Sequence, residues 1–121
     1  MSYEQILNLP ADKLLNWLTS NFLIEVPEEI VTVEDMKDAS KLLLQCTSYY
    51  SYLCALSSYS KLATRNAKRS GDKTKYEDMI DKKEIVNHIT DCVKQQYSAI
   101  SRAVTIHIDN NQELRMLSRS A

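Results

Sequence analysis

The sequence predicts an all-helical protein built around an antiparallel hairpin of two long helices that follow a short N-terminal helix. Glycine and proline are rare, with one Gly and two Pro in 121 residues, whereas an all-β chain needs a turn residue for nearly every strand. Neither occurs between Thr32 and Arg69, and apolar residues recur there at spacings of three and four, which indicates an amphipathic helix. The length fits one domain.

The first third of the chain contains two helix-start signals. Pro10 is favoured in the first turn of a helix, so a short helix is expected to begin there. Residues 21–30 are interpreted as a connector with a brief extended piece. Thr32, followed by acids as far as Asp35, is a typical N-cap sequence. The helix that it starts carries two adjacent apolar stripes and is therefore expected to be contacted on more than one side.

Gly71 marks the clearest break between the two long segments, and it is suited to the residue that ends a helix. Two long helices joined by a short loop are expected to pack as an antiparallel hairpin. Residues 103–108 are β-branched and alternating, so a short strand is the alternative to helix there. The sequence predicts an acidic N-terminal helix and connector at 1–31, a long helix at 32–69 and a loop at 70–74. A second long helix at 75–116 and a frayed tail at 117–121 follow.

Charge is distributed unevenly along the chain, although the formal net charge is only −1. Residues 1–38 contain eight acids against two lysines, and residues 61–75 contain six cations against one acid. Such segregation indicates an anionic partner for the basic region, and a basic partner or self-pairing for the acidic region.

The basic region is the strongest functional signal in the sequence. Its helical members recur at spacings that share one helix face, and phosphates relieve the repulsion among such cations through counterion release. Tyr59 lies on the same predicted helix, and tyrosine can stack on the bases of single strands. The alternative is a solvated face paired with nearby acids of the second helix. The candidate nucleic-acid-binding residues are Tyr59, Lys61, Arg65, Lys68, Arg69, Lys73 and Lys75.

Other classes of site are not expected. The three cysteines form no C-x-x-C pattern, so we expect free thiols in a reducing compartment. The first residues lack the features of a signal peptide and no apolar run is long enough for a membrane span, which favours a cytoplasmic protein. Glu84, His88 and Cys92 share a helix face without a fourth ligand at matching spacing, so no metal site is expected. No cofactor motif or catalytic triad is present, and we expect no enzyme activity.

Four stretches occur in an order that resembles a known family. Residues 38–53 run from Asp-Ala to a tyrosine-rich stretch, 68–72 combine a basic run with a Ser-Gly-Asp break, and 76–77 are Tyr-Glu. The closing stretch is 99–102, Ala-Ile-Ser-Arg, followed by Ile106 and Ile108. In these features the chain resembles the UvsY-type recombination mediators of tailed bacteriophages. The likeness covers about residues 38–116.

The resemblance implies a partner and an assembly. Such mediators are ring-like homo-oligomers of the host-cell cytoplasm that bind single-stranded DNA. They help to load a recombinase onto strands covered by single-strand binding protein. It implies that the basic end of the first long helix, with Lys61, Arg65, Lys68 and Arg69, contacts DNA. It also implies that the C-terminal helix forms the oligomer, here around Tyr97, Ile100, Val104 and Leu114.

A second function from a different class stays open at this point. The acidic N-terminal region could imitate nucleic acid, in which case the chain would be a small phage protein that binds and inhibits a nucleic-acid-binding defence factor of the host. The two hypotheses differ in which charged region binds the partner.

Overall fold

The computed structural model describes residues 1–120, with side chains through residue 119, and they form four helices. In chain order these are α1 (Tyr3–Leu7), α2 (Ala11–Phe22), α3 (Val33–Ser70) and α4 (Lys73–Ser120). The two long helices, α3 and α4, pack against each other, and α2 packs mainly on α4 while α1 contacts α3. The predicted all-helical hairpin is therefore confirmed. Residues 103–108 belong to α4, and the described part of the chain contains no strand.

The hairpin reverses at a two-residue break that is tighter than the predicted loop at 70–74. Gly71 adopts a left-handed conformation with φ of 77°, and its N–H donates to the carbonyl of Lys68 at 3.3 Å. The Asp72 carboxylate then accepts a hydrogen bond from the backbone N–H of Lys75 at 3.1 Å. Because Asp72 satisfies a free N–H of the first turn, α4 can begin at Lys73.

A capping box begins α3, as the sequence predicted at Thr32. The Thr32 hydroxyl accepts from the Asp35 N–H at 3.1 Å, and the Asp35 carboxylate accepts from the Thr32 N–H at 3.0 Å. A second bond to that carboxylate comes from the N–H of Val31, also at 3.0 Å. Hydrogen bonds from the backbone of Thr32 and Val31 to the charged carboxylate lower the pKa of Asp35.

The seam between α3 and α4 is mostly apolar but contains one polar contact that fixes the register. The Ser57 hydroxyl donates to the Asn87 side-chain oxygen at 2.7 Å. A hydrogen bond between partly buried groups is costly to break, so Ser57 and Asn87 are held opposite each other. The fully buried residues along the seam include Leu53, Leu56, Val86, Val93 and Ile100.

The N-terminal helices attach to the hairpin through a cluster of rings. Phe22 lies 5.2 Å from the ring centroids of both Tyr49 and Tyr52. Tyr3 of α1 lies 5.4 Å from Tyr52, so α1 and α2 join the same cluster. Burial raises the pKa of Tyr52, with a further contribution from Tyr3. The sequence missed α1, which a capping box of Ser2 and Gln5 begins.

Three side chains of α4 bond to the backbone of the N-terminal segment. The Lys82 ammonium group donates to the Leu7 carbonyl at 2.7 Å, where it is almost fully buried. The Gln96 amide accepts from the Ile24 N–H at 3.1 Å and donates to the Ile24 carbonyl at 2.8 Å. His107 Nδ1 lies 2.9 Å from the carbonyl of Ile30. The Gln96 and His107 contacts hold the connector, which forms neither helix nor strand, against α4, and the Lys82 contact holds the end of α1.

The C-terminal part of α4 continues beyond the start of α3, because α4 has 48 residues and α3 has 38. The sequence predicted a helix end near residue 116 and a frayed tail at 117–121. The helix instead continues to Ser120, and residue 121 lies outside the described residues. Leu114 and Leu117 are about two-thirds exposed there. No helix in the described chain has the length and apolar character that crossing a membrane requires.

Replacing Lys82 by Met is expected to weaken the attachment of α1. The substitution removes the donor to the Leu7 carbonyl and the ion pair with Asp78 at 2.8 Å. Hydrogen bonds to charged groups contribute about 1.5–3 kcal/mol, so the free energy of unfolding should fall by about that amount in urea titration. Lys13→Met, at an exposed position of α2, is the control and should change stability little. Equal stability of the two variants would show that Lys82 does not hold α1.

Candidate nucleic-acid interface

A shallow groove near the tip of the hairpin brings the predicted cations together. Lys61, Arg65 and Lys68 line it from α3, at spacings of four and three residues that share a helix face. Tyr76 and Lys83 line it from α4, and the whole groove encloses about 340 Å³. We call these five residues the basic groove. The cations of α3 are exposed, whereas Tyr76 and Lys83 are half-buried.

The register of the hairpin explains why Tyr76 and Lys83 belong to this groove. Ser57 and Asn87 face each other, and the helices are antiparallel. Four residues toward the tip from this pair are Lys61 on α3 and Lys83 on α4. Further toward the tip, Lys68 is eleven residues from Ser57 on α3, and Tyr76 is eleven residues from Asn87 on α4. The position of the turn between α3 and α4 therefore determines that Lys83 and Tyr76 lie opposite Lys61 and Lys68.

Carboxylates do not neutralise the basic groove. Two ion pairs lie within 4.0 Å among the described residues, Glu34 with Lys37 and Asp78 with Lys82, and neither involves a groove cation. Asp78 faces the buried Lys82 beneath α1. Asp81 is two residues before Lys83 and so points about 200° away from it around α4. Asp78 and Asp81, two of the acids that the sequence offered as partners, therefore do not pair with the groove cations, and no described carboxylate lies within 4.0 Å of one.

The remaining predicted DNA contacts are divided between the tip and the opposite side of α3. Arg69 and Lys73 are exposed at the tip beside the turn. Tyr59 and Lys75 line a separate depression with Glu4 of α1. There the Tyr59 ring packs against Tyr3 with centroids 5.8 Å apart. The sequence grouped Tyr59 with the cations because all lie on one helix, but the structure separates them, since residues two apart point in nearly opposite directions.

The four residues expected to form an oligomer differ in exposure. Tyr97 and Leu114 are 42% and 64% exposed, and Val104 is half-buried. Ile100 is completely buried in the chain's own core. Ile100 therefore stabilises the hairpin itself and has no surface left for a second subunit.

Four acidic residues lie together at the far end of the hairpin from the tip. Glu25, Glu28, Asp35 and Asp38 line one shallow depression beside the start of α3. Asp38 and Arg65 are 27 residues apart on one helix, which is about 40 Å at helical rise. The hairpin thus carries opposite charges at its two ends.

Comparison with protein-family models, with curated proteins and with solved structures finds no match for this chain.

Two of the side chains that could bind a metal, His88 and Cys92, lie close together on α4. Cys92 Sγ lies 3.7 Å from His88 Nε2 on α4, and all three cysteines are free thiols. Burial raises the pKa of the Cys46 thiol. Among residues 1–119, no three His, Cys, Asp or Glu side chains are grouped so that they could hold a metal ion.

Sequence reasoning missed two groove residues, although the sequence contains the signal that identifies them. The signal is the turn at Gly71 combined with equal steps back along each helix, which pairs Lys61 with Lys83 and Lys68 with Tyr76. Grouping cations by one helix alone could not find residues that come from the second helix.

Proposed function

We propose that this protein binds single-stranded DNA through the basic groove and acts without catalysing a reaction. The observation that carries the proposal is the group of four cations, Lys61, Arg65, Lys68 and Lys83, around a half-buried tyrosine with no carboxylate in ion-pair distance among the described residues. Cations without partners gain most from phosphates, because binding releases the counterions condensed on the nucleic acid.

The tyrosine favours a single strand over a duplex. Tyr76 lines the groove together with cations from both helices. Unpaired bases can stack on such a ring whatever their sequence, whereas the bases of a duplex are already stacked on each other. The combination of phosphate-binding cations and an aromatic platform is typical of proteins that bind single strands without sequence preference.

The biological role within this proposal is accessory to phage recombination. It is supported by the resemblance of residues 38–116 to UvsY-type mediators, whose basic helix end corresponds to Lys61, Arg65, Lys68 and Arg69 here. The partners would then be a phage or host recombinase and single-strand binding protein in the cytoplasm of the host cell. The protein would hold DNA for the recombinase rather than alter it.

The proposal includes self-assembly through the C-terminal part of α4. Leu114 is exposed on the portion of α4 that continues beyond the start of α3. An exposed leucine on an extended helix end can be covered by the same segment of another copy, and most soluble homo-oligomers form closed symmetric assemblies.

The first prediction from this function concerns salt. If each of the four groove cations neutralises one phosphate, the slope of log affinity against log salt should be about −3 for a single-stranded oligonucleotide. Changing Arg65 and Lys68 together to Ala should make that slope shallower by about 1.4. Helical content should be retained, because Ala is a good helix former. Fluorescence anisotropy with labelled DNA at several salt concentrations measures both values.

The matched control is the pair Lys13→Ala and Lys41→Ala, which changes the net charge equally at exposed helical positions outside the groove. This variant should keep the wild-type slope. Failure of the wild-type protein to bind single strands at about 50 mM salt would contradict the proposal, since electrostatic binding is strong at that salt concentration.

The alternative function is favoured by one observation, the acidic depression that includes Glu28 and Asp38. If this surface imitates nucleic acid, Glu28→Lys with Asp38→Lys should abolish inhibition of a host nucleic-acid-binding factor and leave DNA binding no weaker. Asp35 is left unchanged, because its carboxylate caps α3. Pull-down of host factors with both variants measures the effect. Loss of partner binding in the Arg65 and Lys68 variant instead would contradict the alternative.

The assembly is tested by Leu114→Asp. A charge at an interface that excludes water is costly unless it is paired, so the variant should have a lower mass than wild type in light scattering. Asn110→Asp adds the same charge at an exposed position one turn earlier and should retain the wild-type mass. A wild-type mass equal to that of one chain at tens of micromolar would overturn this part of the proposal.

A further inference from the structure

A second groove segment lies on the same side of the hairpin as the basic groove. It is a mostly apolar pocket of about 240 Å³ lined by Cys46, Thr47, Tyr50, Val93, Lys94 and Tyr97. We call it the tyrosine pocket. Tyr50 and Tyr97 are 38% and 42% exposed, so both rings are accessible to a ligand in the pocket.

The hairpin register places this pocket and the basic groove on one line. Counting away from the tip, Tyr50 on α3 and Lys94 on α4 are each seven residues from the Ser57–Asn87 pair. Thr47 and Tyr97 are each ten residues from it. The two sites therefore continue each other along the open side of the α3–α4 seam.

The opposite side of the seam is covered. There Tyr49 and Tyr52 pack on Phe22 of α2, and Tyr59 packs on Tyr3 of α1. Ser57 and Lys61 follow Tyr50 at spacings of seven and four, which keeps all three on the uncovered face of α3.

We infer that the DNA path continues from the basic groove along this open side to the tyrosine pocket, where Tyr50 and Tyr97 stack on bases and Lys94 contacts a phosphate. This inference rests on the proposed function and extends it to a second binding site. Its occupant is the same single strand, because the two pockets lie in line on one side of the α3–α4 seam, on either side of the Ser57–Asn87 pair.

The charges along the path support a polyanion. α3 carries no Asp or Glu between Asp38 and the end of the helix at Ser70, so one wall of the groove contains no negative charge over that length. On α4 the exposed Asp91 lies near the pocket, and after the hydrogen bond with Cys54 its negative charge is one of the smaller causes that raise the pKa of Tyr50. Since Lys94 and Asp91 offset each other, stacking rather than phosphate attraction should dominate in the pocket.

The length of the path predicts how much DNA it covers. From Thr47 to Lys68 along α3 is 21 residues, or about 32 Å. At the rise of about 3.4 Å per nucleotide in a stacked strand, this corresponds to about nine nucleotides, and to fewer in a stretched strand. A twelve-nucleotide strand should therefore occupy both sites.

The test compares Tyr50→Leu and Tyr97→Leu with Tyr50→Phe and Tyr97→Phe. Leu fills the site without an aromatic face, whereas Phe retains the ring. Each Leu variant should bind a twelve-nucleotide oligothymidine about fivefold or more weakly than wild type, with an unchanged salt slope. Each Phe variant should bind within about twofold of wild type. For a strand with abasic nucleotides, which offers no bases for stacking, the difference in affinity between the Leu variants and wild type should be much smaller.

The possible outcomes separate the two levels of the proposal. Undiminished binding by both Leu variants, together with weaker binding by the Arg65 and Lys68 variant, would overturn the tyrosine pocket and leave the proposed function standing. No binding of single strands by wild type would refute the proposed function itself. A Tyr97→Leu variant that changes mass in light scattering but not DNA affinity would show that a second copy covers the pocket, and the inference would be wrong. Circular dichroism confirms that each variant is folded.

Discussion

The antiparallel register of α3 and α4 is the constraint from which the rest of the surface follows. It is set at one end by Gly71, whose positive φ ends α3, and by Asp72, which caps α4 one residue later. A Cβ at Gly71 would meet no atom within 4 Å, so the requirement for glycine there is conformational rather than steric. Halfway along, the Ser57–Asn87 hydrogen bond fixes the same register independently. Slippage by one helical turn would separate Lys61 from Lys83.

The N-terminal segment makes the two sides of the hairpin different. It covers one side with rings from α1 and α2, and Lys82, Gln96 and His107 of α4 hold its backbone in place. The other side of the seam keeps its half-buried side chains open to solvent, among them Tyr76 and Tyr97. A hairpin of two helices would bury its residues symmetrically, so the asymmetry arises from the first 31 residues. The same segment that covers one side of the hairpin also contains most of the acidic residues of the N-terminal region.

Much of the fold could be predicted from local patterns, and the site only in part. The caps at Thr32 and Gly71 and the absence of breakers between them were sufficient for two long helices, because these signals act within one or two turns. The cations of α3 could be found for the same reason. Tyr76 and Lys83 depend on register, which single-helix spacing does not contain. Tyr59 was misplaced because it was grouped with the cations by helix alone, although a two-residue step turns it away from Lys61. α1 was missed although Ser2 and Gln5 form a local capping box, because a helix of five residues is too short to show an apolar period.

Cations lie at both helix ends that meet at the tip of the hairpin, although the helix dipole favours them only at the end of α3. Lys68 and Arg69 lie in the last turn of α3, where cations complement the negative end of the helix dipole. Lys73 and Lys75 lie in the first turn of α4, which contains no acid, although the positive end of the dipole there disfavours cations. Stability alone would favour acids at these two positions, as Glu34 and Asp35 occupy the first turn of α3. Sites where a sequence gives up local stability are the expected positions of function. An anion bound beside the tip would offset the repulsion between these lysines and the positive end of the α4 dipole, and this electrostatic argument is independent of the groove's shape.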